Sequence, residues 1–316
     1  MGFAAIPPRP DLGTILQTID AFKSRSDVAL ILTSPPWDSA PRRKPPDRLV
    51  ANDQVGLANY FRGLGLRVMV SIDPTDGLDR SRDAPALVAA GRSLAEPAIQ
   101  QLYRRYVVAM DTLVRPDLLG IASRDQPGAR DRAGGALPGR GRGGQRRGRG
   151  RARFDTATRL FATVQVEVAW GGLVPASGYV GIAQDRSDFP FAQAIGLSSY
   201  PYFTVAEPES LPETYYSRLV EGSPLPVLVI EGGWPSESFG SIVSSAEKQR
   251  RYIVRHTALL DRAGAIAWFQ LTFTDLDLAY FPPGVAPFAR LGLVTDAFAP
   301  KPALAEWDAV FARALR

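Results

Sequence analysis

Short apolar runs recur along the chain, each closed by glycine, proline or polar residues. Gly2 to Ile6 reads as a first strand, stopped by Pro7 and Pro8. Asp11 can cap a helix running to about Lys23, with Leu12, Ile15, Leu16 and Ile19 on one face. Val28 to Leu32 predicts a second strand, followed by Ser34-Pro-Pro-Trp37 and a proline-rich loop from Asp38 to Asp47. A helix from about Asn52 to Arg62 leads to a third strand, Arg67 to Ile72. Ile99, Leu102, Tyr103, Tyr106, Val107, Met110 and Leu113 recur at helical spacing. Leu118 to Ala122, Leu160 to Val168, Ile195 to Tyr200, Val227 to Ile230 and Ala265 to Leu271 supply strands four to eight. Helices are predicted from about Ser245 to Leu260 and from Pro302 to Leu315.

Eight apolar strands with helical or loop crossovers predict a (β/α)₈ barrel. The chain's 316 residues fit one such domain, 1–316. An open doubly wound sheet is the main alternative, but no Gly-rich phosphate loop follows the first strand. The absence of cysteine and the single histidine exclude disulfides, thiolate sites and His-based metal clusters, and no cofactor or metal is expected. No run reaches the roughly 18 apolar residues of a membrane span. No signal peptide is visible, which predicts a cytoplasmic protein, or an extracellular or envelope one whose leader has been lost. A monomer is expected. The net charge of +5 comes from one segment: residues 124–153 hold ten arginines against two aspartates, a net of +8, leaving −3 elsewhere.

In a barrel the carboxyl ends of the strands carry the chemistry. Those ends hold Trp37, Asp73, Asp76, Glu167, Trp170, Tyr200, Tyr202, Glu231, Trp234, Gln270 and Asp275. Carboxylates interleaved with aromatics suit a carbohydrate better than a phosphate or a nucleobase, although core packing is the default reading of any one ring. The sharpest signal is Pro226-Val-Leu-Val-Ile-Glu231-Gly-Gly-Trp-Pro-Ser236. A carboxylate ending a buried strand is costly without a purpose, and two glycines beside it allow close approach. Capping of the next helix, or an arginine partner, is the competing account of Glu231. His256 reads as structural in the outer layer, and Gln249, Arg250 and Arg251 as a solvated face.

Val229-Ile-Glu231-Gly-Gly-Trp-Pro-Ser236 resembles the nucleophile motif of clan A glycoside hydrolases, and is most similar to endo-β-1,4-galactanases and plant-type endo-β-1,3-glucanases. The resemblance implies a catalytic Glu231 at the end of strand seven, acting on a carbohydrate substrate. Leu197-Ser-Ser-Tyr200-Pro-Tyr202 resembles the segment that sets a Tyr or His against the nucleophile, and Trp268 falls where the clan often has an aromatic at the sugar site. With these, Trp37, Asp73, Asp76, Trp170, Trp234 and Gln270 are the expected substrate-binding set. The implied retaining mechanism needs a second carboxyl about 5 Å away. In the clan it is a Glu ending strand four. Here Arg124 occupies that place and Asp125 is the candidate acid, so the chain is expected to be poorly active.

Residues 124–153 interrupt the pattern where helix four belongs. Gly, Arg and Pro without apolar periodicity cannot bury a face, so this segment is expected to be disordered. An Arg/Gly tail can track phosphates, but no Phe or Tyr is interleaved, which argues against a nucleic acid partner. A third reading is a shift of reading frame. Arg-Asp-Gln-Pro, written CGA-GAC-CAA-CCN, becomes Glu-Thr-Asn when its first base is dropped. Three accounts therefore stand: a hydrolase, a non-catalytic sugar-binding barrel that keeps the aromatics, and nucleic-acid association through the arginines.

Overall fold

The protein is described by a computed structural model that covers residues 1–38, 45–124, 158–173 and 178–314. Eight strands close into a barrel: β1 (Gly2–Ala4), β2 (Val28–Thr33), β3 (Arg67–Ile72), β6 (Leu118–Arg124), β7 (Arg159–Gln165), β8 (Ala194–Ser199), β9 (Val227–Gly232) and β12 (Ala267–Gln270). They follow one another around the barrel in chain order, and β12 returns to β1 in parallel register, with Gly2 opposite Phe269. Two antiparallel hairpins stand apart from it, β4 (Thr75–Asp76) with β5 (Asp79–Asp83) and β10 (Glu237–Phe239) with β11 (Ile242–Ser245). This is the expected (β/α)₈ architecture. The expectations placed on residues 125–153, including disorder, a lost helix and the acid Asp125, lie outside the described residues.

The contacts group the chain into two compact units, Met1–Leu30 with Val164–Ala183 and Ile195–Arg316, and Ile31–Thr163 with Gln184–Ala194. In the first, helix α1 (Leu12–Phe22) starts where Asp11 accepts a 2.9 Å bond from the Thr14 amide. Its buried face is Thr14, Thr18, Ile19 and Phe22, whereas Leu12 is 70% exposed. The apolar face read from the sequence is thus rotated. Phe22 reaches Phe3 of β1, and Phe3 lies 4.4 Å from Trp307, ring to ring, so aromatic packing sets the rotation. In the second unit lie α2 (Pro46–Asp53), α3 (Val55–Gly63), α4 (Pro85–Ala89) and α5 (Pro97–Ala109); α3 packs on β3, and α2 on α3 and α5. Tyr103 of α5 is buried and donates to the Ile121 carbonyl of β6 at 2.7 Å.

The fifth barrel strand is shorter than its apolar run. β7 stops at Gln165, and Val166–Ala169 form a single helical turn, α6. The Trp170 amide closes that turn on the Val166 carbonyl at 2.9 Å. The turn takes Glu167 out of the strand and into a pocket of hydrogen-bond donors. A further short helix, α7 (Ala183–Asp188), precedes β8. Helix α8 (Ala246–Ala263) is capped by Ser245, whose side chain accepts from the Lys248 amide, and α9 (Pro302–Phe311) packs on α8.

Candidate active site

β9 is buried along its whole length, and Glu231 near its end is 6% exposed. Ser198 stands opposite Glu231 and Ser199 opposite Gly232, after a register shift between Leu197 and Ser198. The two glycines that follow cannot be replaced freely. A Cβ on Gly232 would lie 2.4 Å from the Ser199 carbonyl oxygen, and one on Gly233, at φ +153°, would lie 2.6 Å from Gln270 Nε2. The backbone after Glu231 is therefore pressed against β8 on one side and against the end of β12 on the other.

The rest of the motif is clamped to the segment after β12. The Ser236 amide donates to the Arg290 carbonyl at 2.9 Å. Lys301 Nζ donates to Ser236 Oγ at 2.8 Å, to Asp275 Oδ1 at 2.5 Å and to the Gly292 carbonyl at 2.9 Å. Gln249 Nε2 of α8 reaches the carbonyls of Trp234 and Gly292, each at 3.0 Å. Gln249 is fully buried. Its expected place on a solvated face is corrected: loop carbonyls that lack backbone partners draw the amide inward. Burial raises the Asp275 carboxyl to about 6, against the pull of Lys301 and Arg290, and it lowers Lys301.

Tyr200 and Tyr202 follow β8. Tyr200 packs edge-on to Phe288 at 5.0 Å and to Tyr202 at 6.1 Å, which makes an aromatic cluster with Phe203. Tyr202 spends its hydroxyl on the Pro287 carbonyl at 3.2 Å. Trp234 is 1% exposed, between Tyr202 and Tyr252, with Nε1 bonded to Ser244 Oγ at 2.9 Å. Its ring packs in the core and leaves no open face.

The other nominated residues fall in several places. Gln270 is buried and donates to the Leu291 carbonyl at 2.7 Å, leaving its Oε1 without a partner. Trp268 packs on His256 of α8 at 4.8 Å and Trp307 of α9 at 4.6 Å. It also borders a cavity of about 380 Å³ lined by Met1, Gly264, Ala265 and Ile266, residues that precede β1 and β12. Trp268 thus belongs to the amino-terminal side of its strand and not to the tip. Trp170 stacks on Tyr215 at 5.5 Å, donates to the Tyr215 carbonyl at 2.9 Å and lies under the Arg218 guanidinium. In the second unit Trp37 is buried and donates to the Pro74 carbonyl at 3.1 Å. Asp73 there accepts from Thr75 and pairs with Arg80 at 2.7 Å, and Asp76 caps the Leu78 amide inside the β4–β5 hairpin.

One group stands out that the sequence marks only as a strand-end carboxylate. Glu167 is fully buried. Its Oε1 accepts from Ser199 Oγ at 3.0 Å and Tyr215 OH at 2.8 Å, and its Oε2 from Gln165 Nε2 at 2.6 Å. The backbone of Tyr200 also favours the ionised carboxyl group. Ser199 Oγ lies 2.9 Å from Tyr216 OH, which lies 3.0 Å from His256 Nδ1. Burial raises Glu167 to about 7, against these hydrogen bonds, and pushes His256 down to about 3. His256 is as structural as its helix position suggests, but it ends a polar chain that starts at the tip of β8.

Among the described residues no group of three His, Asp or Glu side chains could hold a metal ion, and no helix is long and apolar enough to cross a membrane. No family model and no curated protein matches the sequence. Solved structures match in fold. A GH5_18 protein of Bifidobacterium longum subsp. longum, in complex with Manβ1-4GlcNAc, superposes with a TM-score of 0.65 at 14% identity, over 99% of this chain and 78% of that one. The exo-β-1,4-mannosidase of Opitutaceae bacterium strain TAV5 gives 0.69 at 14% identity, over 98% and 58%. A β-glucuronidase of Ruminococcus gnavus, in complex with D-glucuronic acid, gives 0.59 at 11%, over 98% and 48%. The chain thus spans between about half and four-fifths of these proteins' lengths and shares their (β/α)₈ barrel fold.

Proposed function

We propose that the chain is a glycoside hydrolase-like barrel for a β-linked polysaccharide, with Glu231 in the place of the nucleophile. The observation that carries this reading is a carboxylate at the tip of the seventh barrel strand, followed by a turn in which only glycine fits. In a retaining reaction a Glu231 oxygen forms a bond to the anomeric carbon as the glycosidic C–O bond breaks. The leaving oxygen takes a proton from a second carboxyl group. That group then removes a proton from water, whose oxygen displaces Glu231. Phe203 and Phe288, half-buried and packed against Tyr200, offer apolar ring surface for a sugar.

The second carboxyl is the weak part of the chain, because Arg124 ends β6 and stays protonated near neutral pH. Asp125 is the candidate that follows it. We therefore read the chain as impaired. Glu231→Gln abolishes hydrolysis of aryl β-glycosides and leaves Tm nearly unchanged; activity that survives it overturns the assignment. Combining Arg124→Glu, Asp125→Thr and Gln126→Asn with an alanine-rich amphipathic helix over 127–153 raises hydrolysis of β-glycans by about 10²-fold or more. A non-catalytic carbohydrate-binding barrel is the second reading, favoured by the same Arg124. It predicts glycan binding without turnover in both chains.

A further inference from the structure

The candidate nucleophile is held by β9, and β9 is held in register by β8, through Ser198 opposite Glu231 and Ser199 opposite Gly232. The regular ladder is broken just before this point, between Leu197 and Ser198. The last two pairs resume the ladder beyond that shift, and side-chain bonds add to it there. Glu167 accepts from the Ser199 hydroxyl at 3.0 Å, and the backbone of Tyr200, the next residue along, favours its ionised form.

We propose that Glu167 is a positioning residue: it pins the tip of β8 through Ser199 and Tyr200, and so fixes Glu231 and Tyr200 in relation to each other. The role rests on the reading of Glu231 given above. Glu167 is not itself placed to touch a substrate, since it is fully buried and both its oxygens are bonded within the protein.

The surroundings of Glu167 fit a device for holding geometry. Every side chain bonded to it is uncharged: Gln165 from β7, Ser199 from β8 and Tyr215 from the segment before β9. The other titratable groups that face this region are Tyr202 after β8, Tyr216, and Tyr252 and His256 from α8. Burial raises Tyr202, Tyr215, Tyr216 and Tyr252 and keeps His256 neutral, so none of them supplies a charge near pH 7. Among the described residues no ion pair reaches Glu167. A carboxyl group that gathers three donors from three directions at one strand tip restricts where that tip can sit.

The test uses the full chain and two kinds of measurement. Amide hydrogen exchange is followed in Glu167→Ala, Glu167→Gln and Ser199→Ala. Exchange at 198–203 and 230–234 rises about tenfold in Glu167→Ala, and less in Ser199→Ala, while 67–72 is unchanged. Glu167→Gln keeps an oxygen for Ser199 and Tyr215 and restores protection. A uniform rise over all strands, no change at either tip, or failure of Gln to rescue overturns the proposal. Ser199→Ala keeps the test informative if Glu167→Ala does not fold. The second measurement is hydrolysis of an aryl β-glycoside by the chain with its strand-four acid restored. There Glu167→Ala lowers kcat by about 10²-fold with little change in KM, the scale of an ångström-level misplacement. If the restored parent chain hydrolyses nothing, the glycosidase reading falls, while the exchange pattern still decides whether Glu167 pins the tip.

Discussion

Glu167 and Asp275 are both carboxyl groups buried near the ends of barrel strands, and the protein satisfies them in opposite ways. Asp275 takes a cation, with Lys301 at 2.5 Å and Arg290 at 3.8 Å. Glu167 takes hydroxyl and amide donors. Burial raises both, Asp275 to about 6 and Glu167 to about 7. In both cases desolvation outweighs the partners, whether these are neutral donors or the Lys301 and Arg290 cations. At pH 7 Asp275 is mostly ionised with its partner, whereas Glu167 sits near half protonation. The cation pair joins two loops, since Lys301 also holds Ser236 and Gly292. The donor set of Glu167 aligns one strand tip.

The sign of each contribution follows from the direction of the shift. Both folded values lie above the unfolded ones. Each group therefore contributes stability that is fully present below its unfolded value and lost as pH rises through its folded value. The window runs from 4.5 to about 7 for Glu167 and from 3.8 to about 6 for Asp275.

The largest effect is expected on removing the cation. Lys301→Met strands Asp275 in the interior and costs about 3–5 kcal/mol in urea unfolding at pH 8. The loss is smaller at pH 5, where Asp275 carries a proton. An equal loss at both values would mean that Lys301 acts through its packing alone. Next comes Glu167→Gln. The parent chain loses roughly 3 kcal/mol between pH 4.5 and 7.5 through this one group, and the variant does not. The difference between their urea midpoints should shift in the variant's favour as pH rises, and a constant difference would refute the raised Glu167. The smallest effect is that of Tyr215→Phe, which removes one donor and costs about 1–2 kcal/mol at pH 8 and less at pH 5.

The barrel was legible because each strand lies in a short apolar run whose end is marked by Gly, Pro or a polar residue. β3 occupies the very span that its pattern predicts, Arg67–Ile72. The position of Glu231 near the end of β9 was legible for the same reason, as a charge that interrupts such a run. The aromatic assignments were less readable. A ring at the edge of an apolar run looks the same whether it faces a ligand or the helical layer, and Trp268 and Trp234 both pack inside. Glu167 was hidden by its context. Val166-Glu167-Val168-Ala169 extends the apolar alternation of β7, so the helical turn that carries the carboxyl group inward leaves no mark in the pattern. Its partners Ser199 and Tyr215 are 32 and 48 residues away, and no local signal announces them. Gln249 was misread because an amide among two arginines looks solvated, and only the loop carbonyls it meets explain its burial.

The register shift between Leu197 and Ser198 makes the length of β9 a fixed quantity. Val229 stands opposite Leu197 and Glu231 opposite Ser198, so Ile230 is one residue more than the facing strand requires. Parallel ladders bulge rarely, and a strand's side chains alternate with a period of two. Ile230 therefore resets the alternation just before the carboxylate. Deleting it would mend the ladder and still exchange the sides on which Glu231 and its neighbour emerge. Inserting a residue after Ile230 would do the same from the other direction. Substitutions that keep the count can vary the composition of β9, but a single-codon gain or loss there would change which side chain stands at the strand tip even though no side chain had been altered.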